Sequence, residues 1–290
     1  MIMPSRVAAA LLCLAALTAA PARAANEIAT TARGLFSNVR VAGAPATVVG
    51  PVNEVSGRTS PGYARSGGSP GFSQSVALGT VGGIGVSLNL NTGTIATAAS
   101  ANGTLPANTT LGSASASVDA VDLRLVSGNG PTPLLRLTAG NIQSTATAQI
   151  LGGVLSRIGQ SQFTNLSLSI GGQTILSLGN AAQVAPNFLA YDAGGLQVVL
   201  NQQFFSDMST TRMLINNAVG ISFTNYLIDG RRLNGNLLIG QSMAEYVGSA
   251  AVPEAATWAQ LIAGFALTGS VARRQRHRKL RRQDQLMSYA

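Results

Sequence analysis

Apolar residues alternate with small or polar residues over several short stretches of this chain. From residue 84 to 90 every second residue is Ile, Val or Leu, and the same period of two recurs in 113–122, 121–125 and 166–170. Because successive side chains of a β-strand point to opposite faces, this alternation places the apolar ones on one face. The chain is therefore predicted to form half-buried strands.

Turn-forming residues separate these stretches at intervals of roughly 8–14 residues, a spacing typical of sandwiches and barrels. They include Asn91-Thr92-Gly93, Gly171-Gly172 and Asp229-Gly230. The fold class predicted is all-β, an antiparallel β-sandwich-like domain, with a β-solenoid as the alternative because the spacing is loose. Only ILGGVLSRIG, around residue 155, suggests a short helix, and its paired glycines disfavour one.

The N-terminus has the layout of a secretory signal peptide over residues 1–24. Arg6 precedes an apolar stretch, and Ala22 and Ala24 form the small-residue pattern of a cleavage site. The only cysteine, Cys13, lies within this segment. The mature chain is therefore expected to contain no disulfide and no cysteine metal site.

The C-terminus is predicted to hold one transmembrane helix. An uncharged apolar run extends from Ala255 to Ala272, and seven Lys or Arg residues follow between Arg273 and Arg282. Such a basic cluster stays on the cytoplasmic side of the inner membrane. Since it accounts for most of the net charge of +9, the body from 25 to 251 is nearly neutral, with ten Arg against eight acidic residues. No nucleic-acid partner is expected for an exported chain of this charge distribution.

Five segments follow from these features. They are the signal peptide 1–24, a weakly patterned segment and loop 25–74 with one or two strands, a β-rich extracellular domain 75–250, a tail signal 251–282 and a terminal tail 283–290.

The tail resembles the PEP-CTERM sorting signal of Gram-negative bacteria. The matching residues, in order, are Pro253, Glu254, Trp258, Gly264, Phe265, Arg273 and Arg274. Ala255 stands where the family has a second Pro.

This resemblance implies a route to the outside of the cell. It implies export through the inner membrane, transient anchoring by the C-terminal helix and cleavage near Pro253-Glu254 by an exosortase. The body would then reach the cell surface or the extracellular space, in bacteria that make exopolysaccharide and biofilm.

The body resembles the choice-of-anchor P family. The similar stretches lie within residues 75–246 and include ASASVDAVDLRL, FTNLSLSIGGQTI, LQVVLNQQ and MLINNAVGISFTNYL. No defined enzymatic activity, cofactor or metal comes with this resemblance.

The body contains few of the residue types that are common in active sites, and it contains no Lys, His or Cys. A serine nucleophile would therefore lack a histidine or lysine base. Asp119 and Asp122 are the closest acid pair, but three positions apart on a strand they are predicted to point to opposite faces. Asp192 and Asp207 lie near Asn201 without the spacing of a calcium loop.

Tyrosines could stack on sugar rings, although half-buried packing is the more common role of single tyrosines at strand ends. The tyrosines concerned are Tyr63, Tyr191, Tyr226 and Tyr246.

The sequence thus predicts a non-enzymatic exported protein of the cell surface or matrix, with an exosortase and an exopolysaccharide as partners. A secreted carbohydrate-active enzyme using two carboxylates remains an alternative, and so does a simple membrane-anchored periplasmic protein. A pair of carboxylates in a cleft would favour the enzyme.

Overall fold

The computed structural model describes most of the predicted body and little of the two chain ends. The described residues are 27–43, 45–58, 62–81, 84–102, 110–128, 130, 132–151 and 154–248, with Ile262, Phe265, Ala266 and Arg273. The chain divides into a compact unit, Asn26–Gly248, and a second unit made of its two ends. In the second unit the four described residues are helical. No helix among the described residues is long and apolar enough to cross a membrane.

The described part of Asn26–Gly248 consists of sixteen strands joined by turns. They are β1 Glu27–Val41, β2 Thr47–Arg58, β3 Tyr63–Ser69, β4 Phe72–Val81, β5 Ile84–Thr92, β6 Ile95–Ala101, β7 Thr110–Ser127, β8 Leu135–Leu151, β9 Val154–Thr164, β10 Leu166–Ile170, β11 Gln173–Leu178, β12 Ala182–Gln183, β13 Phe188–Ala193, β14 Leu196–Asp207, β15 Thr211–Ile228 and β16 Arg231–Val247. The all-β prediction is confirmed.

The strands form two antiparallel sheets. The six-stranded sheet has the order β13-β14-β15-β16-β1-β2, and the main path of the ten-stranded sheet is β11-β10-β8-β7-β5-β4. The remaining strands of the larger sheet add β6 beside β7, β3 beside β6, β9 beside β8 and β12 beside β9. Antiparallel pairing differs from the parallel coil-on-coil pairing of a parallel β-helix.

Two local predictions differ from the structure. The stretch with the helix signal enters β9, where Val154–Thr164 pairs with β8, so that cross-strand pairing overrides the local pattern. Asn91-Thr92-Gly93 does not reverse the chain, because β5 and β6 on its two sides both pair antiparallel with β7. Gly171-Gly172 and Asp229-Gly230 do form hairpin turns, with positive φ at both residues of each pair.

The segment 25–74 is part of the same unit as the rest of the body. It contains β1, β2 and β3, and β1 lies between β16 and β2 in the six-stranded sheet. β3 occupies a stretch where the glycines, prolines and serines predict a loop. Backbone hydrogen bonds to the neighbouring strand β6 hold β3 in an extended conformation that its own sequence does not predict.

A row of residues crosses each sheet and marks a change in the strands. On one side of the row the even-numbered residues of a strand face inward, and on the other side the odd-numbered residues do, or the reverse. In β7 the buried residues are even-numbered from Ala114 to Val118 and odd-numbered from Val121 to Leu125, and Ala120 between them has a φ of 45°. Counting along the pairing registers places the corresponding residues of neighbouring strands opposite one another. They are Gly93, Ala120, Gly140 and Asn165 in the larger sheet, and Asn53, Gly34, Gly240, Ala218 and Asn201 in the smaller.

We call these two rows the break lines, and they separate two kinds of core. On one side, the leucine-rich half, the buried residues are large and aliphatic and include Leu35, Leu88, Leu123, Leu137, Leu168, Leu200 and Ile239. On the other side, the alanine-rich half, the buried residues form small clusters in which most members are alanines. They are Ala32, Ala101, Ala114, Ala116, Ala146, Ala148 and Ala244, with Ile28, Leu111 and Leu214.

Candidate functional site

The predicted sorting and cleavage residues fall almost entirely outside the described residues. Ala22, Ala24, Pro253, Glu254, Trp258, Gly264 and Arg274 lie there. Phe265 and Arg273 are described, both in helical conformation, and the Phe265 ring is 71% exposed. The tail therefore remains a prediction from sequence.

The acid pair Asp119 and Asp122 lies on one face of the larger sheet, so the predicted opposite orientation is wrong. The parity change at Ala120 is the reason, since the buried neighbours Val118 and Val121 both point inward. The Asp119 carboxylate accepts hydrogen bonds from Thr94 Oγ1 at 2.7 Å and Asn141 Nδ2 at 2.5 Å.

Asp122 is held as an anion by two arginines. Its carboxylate forms ion pairs with the guanidinium groups of Arg124 and Arg136. The hydrogen-bonded Arg124 lowers the pKa of the Asp122 carboxyl below its ordinary value, and Arg136 adds to this effect against partial burial. A general acid requires a shift in the opposite direction.

The other predicted candidates are engaged in structural contacts. Asp207 forms an ion pair with Arg157 at 2.9 Å, and Asp192 accepts a hydrogen bond from Gln197 Nε2 at 3.1 Å. The structure does not bring these two carboxylates together with a third ligand, because no group of three His, Cys, Asp or Glu side chains able to hold a metal occurs among the described residues.

The four tyrosines are all partly buried. The Tyr63 hydroxyl accepts a hydrogen bond from the Thr30 backbone N–H at 2.9 Å. Tyr63 and Tyr246 both pack against the buried cluster of Ile28, Ala101 and Leu111. Burial raises the pKa of Tyr226, and the nearby Tyr191 adds to that shift. Their surroundings match the packing role.

The outer face of the six-stranded sheet carries a groove that none of the predicted candidates lines. Its volume is about 300 Å³, and its walls and floor are formed by Gln202, Phe204, Ile215, Asn217, Gly220, Ile221, Ser222, Asn236, Leu238 and Gln241. The groove follows from the break line. In β15 Asn217 and Gly220 face outward and are separated by two inward-facing residues, Ala218 and Val219, so the outer surface has a trough in which Asn217 and Gly220 are themselves buried.

A row of hydrogen-bonded polar side chains crosses five strands along this trough. The members stand directly opposite one another in the pairing registers and are, in order, Gln202, Asn217, Gln241, Arg33 and Glu54. We call this row the amide ladder.

The geometry of the amide ladder fixes the direction of each amide. Asn217 Nδ2 donates to Gln202 Oε1 at 3.0 Å, and Gln241 Nε2 donates to Asn217 Oδ1 at 2.8 Å. Asn217 is only 3% exposed, so its amide is held at the base of the groove. Such a side chain loses little conformational freedom when a ligand binds, which favours binding.

Gly220 makes room for this arrangement. A Cβ added at this position would collide with the amide of Gln202, which lies over the glycine. Phe204, 50% exposed, and the partly buried Ile215 and Leu238 supply apolar surface beside the amides. Amides can hydrogen-bond the hydroxyls of a sugar ring, and adjacent apolar surface can pack against its C–H groups.

A second groove of about 280 Å³ adjoins the first on the same face. It is lined by Asn38, Arg40, Ala46, Asn234, Gly235 and Asn236, so Asn236 contributes to both. Neither groove is lined by Asp or Glu.

Sequence reasoning missed the amides of the ladder. The residues lie in LQVVLNQQ, INNAVG and LIGQS, which read as strands with unremarkable polar positions. Arg33 and Gln241 are 208 positions apart in the chain. Only the pairing of β1 with β16 brings them together.

Comparison of the chain with protein-family models, with curated proteins and with solved structures finds no match to any of them.

Proposed function

We propose that this chain is an exported, non-enzymatic protein of the cell surface or extracellular matrix, whose β-sandwich-like domain associates with exopolysaccharide. An exosortase removes the C-terminal signal after export. The observation that carries the binding part is the groove on the six-stranded sheet, in which fixed amides lie beside exposed apolar surface.

Two of the candidate carboxylates, Asp122 and Asp207, are engaged in ion pairs. Asp122 is stabilised in its ionised form by two arginines, and Asp207 is paired with Arg157. The two grooves offer amide, hydroxyl, guanidinium and apolar groups for binding, and no carboxylate lines them for acid–base work.

The stability of the domain comes from packing and not from disulfides. The only cysteine lies in the signal peptide, so the domain depends on no disulfide for its stability. Two sheets sharing one extended core supply that stability through packing.

Mass spectrometry of the mature protein's C-terminus tests the sorting part. The protein recovered from the cell surface or medium is expected to end near Pro253. Glu254→Gln is expected to reduce release, because Glu254 belongs to the signal. The matched change Glu245→Gln lies in β16 and should leave release unchanged. Surface protein that retains Tyr289-Ala290 would contradict processing and favour a simple membrane anchor.

Retention of the exported protein by exopolysaccharide tests the binding part. The protein is expected to sediment with exopolysaccharide from the producing bacterium and to remain in solution without it. If enzymatic treatment that depolymerises the polysaccharide leaves the distribution unchanged, association with exopolysaccharide is wrong.

A further inference from the structure

We infer that the two outer-face grooves form one continuous binding track for a linear acidic polysaccharide. This inference rests on the proposed function, since it assigns that function's partner class to a particular surface. It goes further by predicting where the polymer lies, that it is extended and that it carries carboxylate groups.

Continuity of the track follows from residues that alternate outward along β16. Gln241 and Asn236 line the first groove, and Asn236 and Asn234 line the second. The seven residue-to-residue steps of β16 from Gln241 to Asn234 span roughly 24 Å at about 3.4 Å per step. A single sugar would fill only part of this length, whereas a chain of several sugars would occupy it.

The track offers side chains to a ligand, whereas a sheet edge that binds peptides offers free backbone groups. The track lies over β14, β15, β16 and β1, whose backbones are already paired with neighbouring strands. A peptide that binds by strand addition needs free backbone groups at a sheet edge. The groups offered here are side-chain amides, which match the hydroxyls of a polysaccharide.

The charge of the track changes along its length. Arg33 in the amide ladder is neutralised by Glu54, with Arg33 Nε and Glu54 Oε2 3.1 Å apart. Arg40 lines the second groove and is exposed, and Arg232 lies beyond Asn234 on the same strand and is also exposed. Glu245, on the same strand, lies beyond the other end of the track. An anionic group is therefore best accommodated near Arg40, by a charge-assisted hydrogen bond.

Binding of defined uronic acid chains to the exported protein tests this inference. The probes are polygalacturonate fragments of two and six sugars, and the six-sugar fragment after methyl esterification, which removes its charge. The six-sugar fragment is expected to bind more tightly than the two-sugar one, and more tightly than its neutral ester.

Two groove variants separate the charge from the amide. Arg40→Gln is expected to weaken binding of the acidic fragment by about tenfold or more, the loss expected for a hydrogen bond to a charged group, and to leave binding of the neutral ester nearly unchanged. Asn236→Ala is expected to weaken the binding of both the acidic fragment and its neutral ester. Both residues are exposed, so thermal unfolding should confirm that the variants remain folded. The matched control is Arg65→Gln, an exposed arginine on β3 of the other sheet, which should leave binding unchanged.

The outcomes distinguish this inference from the proposed function. Unaltered binding by Arg40→Gln and Asn236→Ala, or affinity independent of chain length, would place the polysaccharide elsewhere and overturn the track alone. Tighter binding of the neutral ester would overturn the acidic preference. Failure to bind the fragments by a protein that still binds its own bacterium's exopolysaccharide would overturn the acidic track alone. Failure to bind either the fragments or that exopolysaccharide would overturn both proposals.

Discussion

In the leucine-rich half the two sheets meet through large aliphatic side chains, whereas in the alanine-rich half most of the clustered apolar side chains are alanines and polar side chains form hydrogen bonds between the sheets. Small side chains bring the backbones close together there. A Cβ added at Gly112 of β7 would lie 2.6 Å from Ile28 Cγ2 and 3.0 Å from Thr30 Cγ2 of β1. The approach is close enough for polar side chains of one sheet to reach backbone groups of the other.

Asn216 shows what this proximity allows. It is fully buried on β15, and its Nδ2 donates to the carbonyl oxygens of Gln160 at 2.7 Å and Thr145 at 3.1 Å, on β9 and β8. Gln203 Nε2 likewise donates to Gly159 O at 2.8 Å. The same strands thus use apolar burial at one end and inter-sheet hydrogen bonding at the other.

Truncating a leucine in the leucine-rich half is expected to have the largest effect on stability. Leu123 is fully buried on β7, and Leu123→Ala should lower the free energy of unfolding by about 2–5 kcal/mol through lost burial and a residual cavity. Urea unfolding of the two proteins measures it. Leu227→Ala is the matched control, since Leu227 is 64% exposed. Equal losses in both variants would contradict the assignment of the core.

Removing the inter-sheet amide is expected to have the next largest effect. Asn216→Ala should cost about 1–3 kcal/mol, because the carbonyls of Thr145 and Gln160 lose this donor. Thermal unfolding measures the loss. The control Asn91→Ala removes an exposed amide on β5 and should change stability by less than about 0.5 kcal/mol. A similar small change for Asn216→Ala would show that hydrogen bonds do not hold this half together.

The break line between the halves predicts an unusual response to glycine. Ala120 has a φ of 45°, a conformation that costs an L-residue roughly 1–2 kcal/mol and glycine little. Ala120→Gly should therefore be neutral or stabilising. Ala98→Gly, at an exposed site within β6, should destabilise by about 0.5–1 kcal/mol. Comparable destabilisation in both would contradict the left-handed conformation at Ala120.

The smallest expected effect concerns Asp122 on the outer surface of the leucine-rich half. Its pKa is lowered in the folded protein, so its contribution to stability is present above the ordinary carboxyl pKa of 3.8 and is lost as pH falls through the lower folded value. Since the ion pairs are partly exposed, Asp122→Asn should cost less than about 1 kcal/mol at neutral pH. The difference from wild type should shrink at acid pH.

Denaturant titrations at pH 7 and pH 3 measure this difference. Asp192→Asn is the control, because Asp192 accepts a hydrogen bond from the neutral amide of Gln197. A difference between wild type and Asp122→Asn that grows on acidification would have the wrong sign.

Local signals in the sequence predicted much of the secondary structure. Alternation predicted strands at 84–90 and 166–170, and glycine pairs predicted the hairpin between β10 and β11. The helix signal near residue 155 was wrong because cross-strand pairing outweighs a weak local preference. The candidate site was not predicted, since its amides become neighbours only when distant strands pair.

The sequence by itself determined that this chain forms antiparallel strands, because the alternation of side chains and the turn residues act over a few positions. The tertiary structure alone decided which strands are neighbours and where their parity changes. Those two decisions place Asp119 and Asp122 on one face and align Gln202, Asn217 and Gln241 across three strands. The physical reason is that register depends on contacts between strands far apart in the chain. A one-residue shift in a strand moves every later side chain of that strand to the opposite face of the sheet.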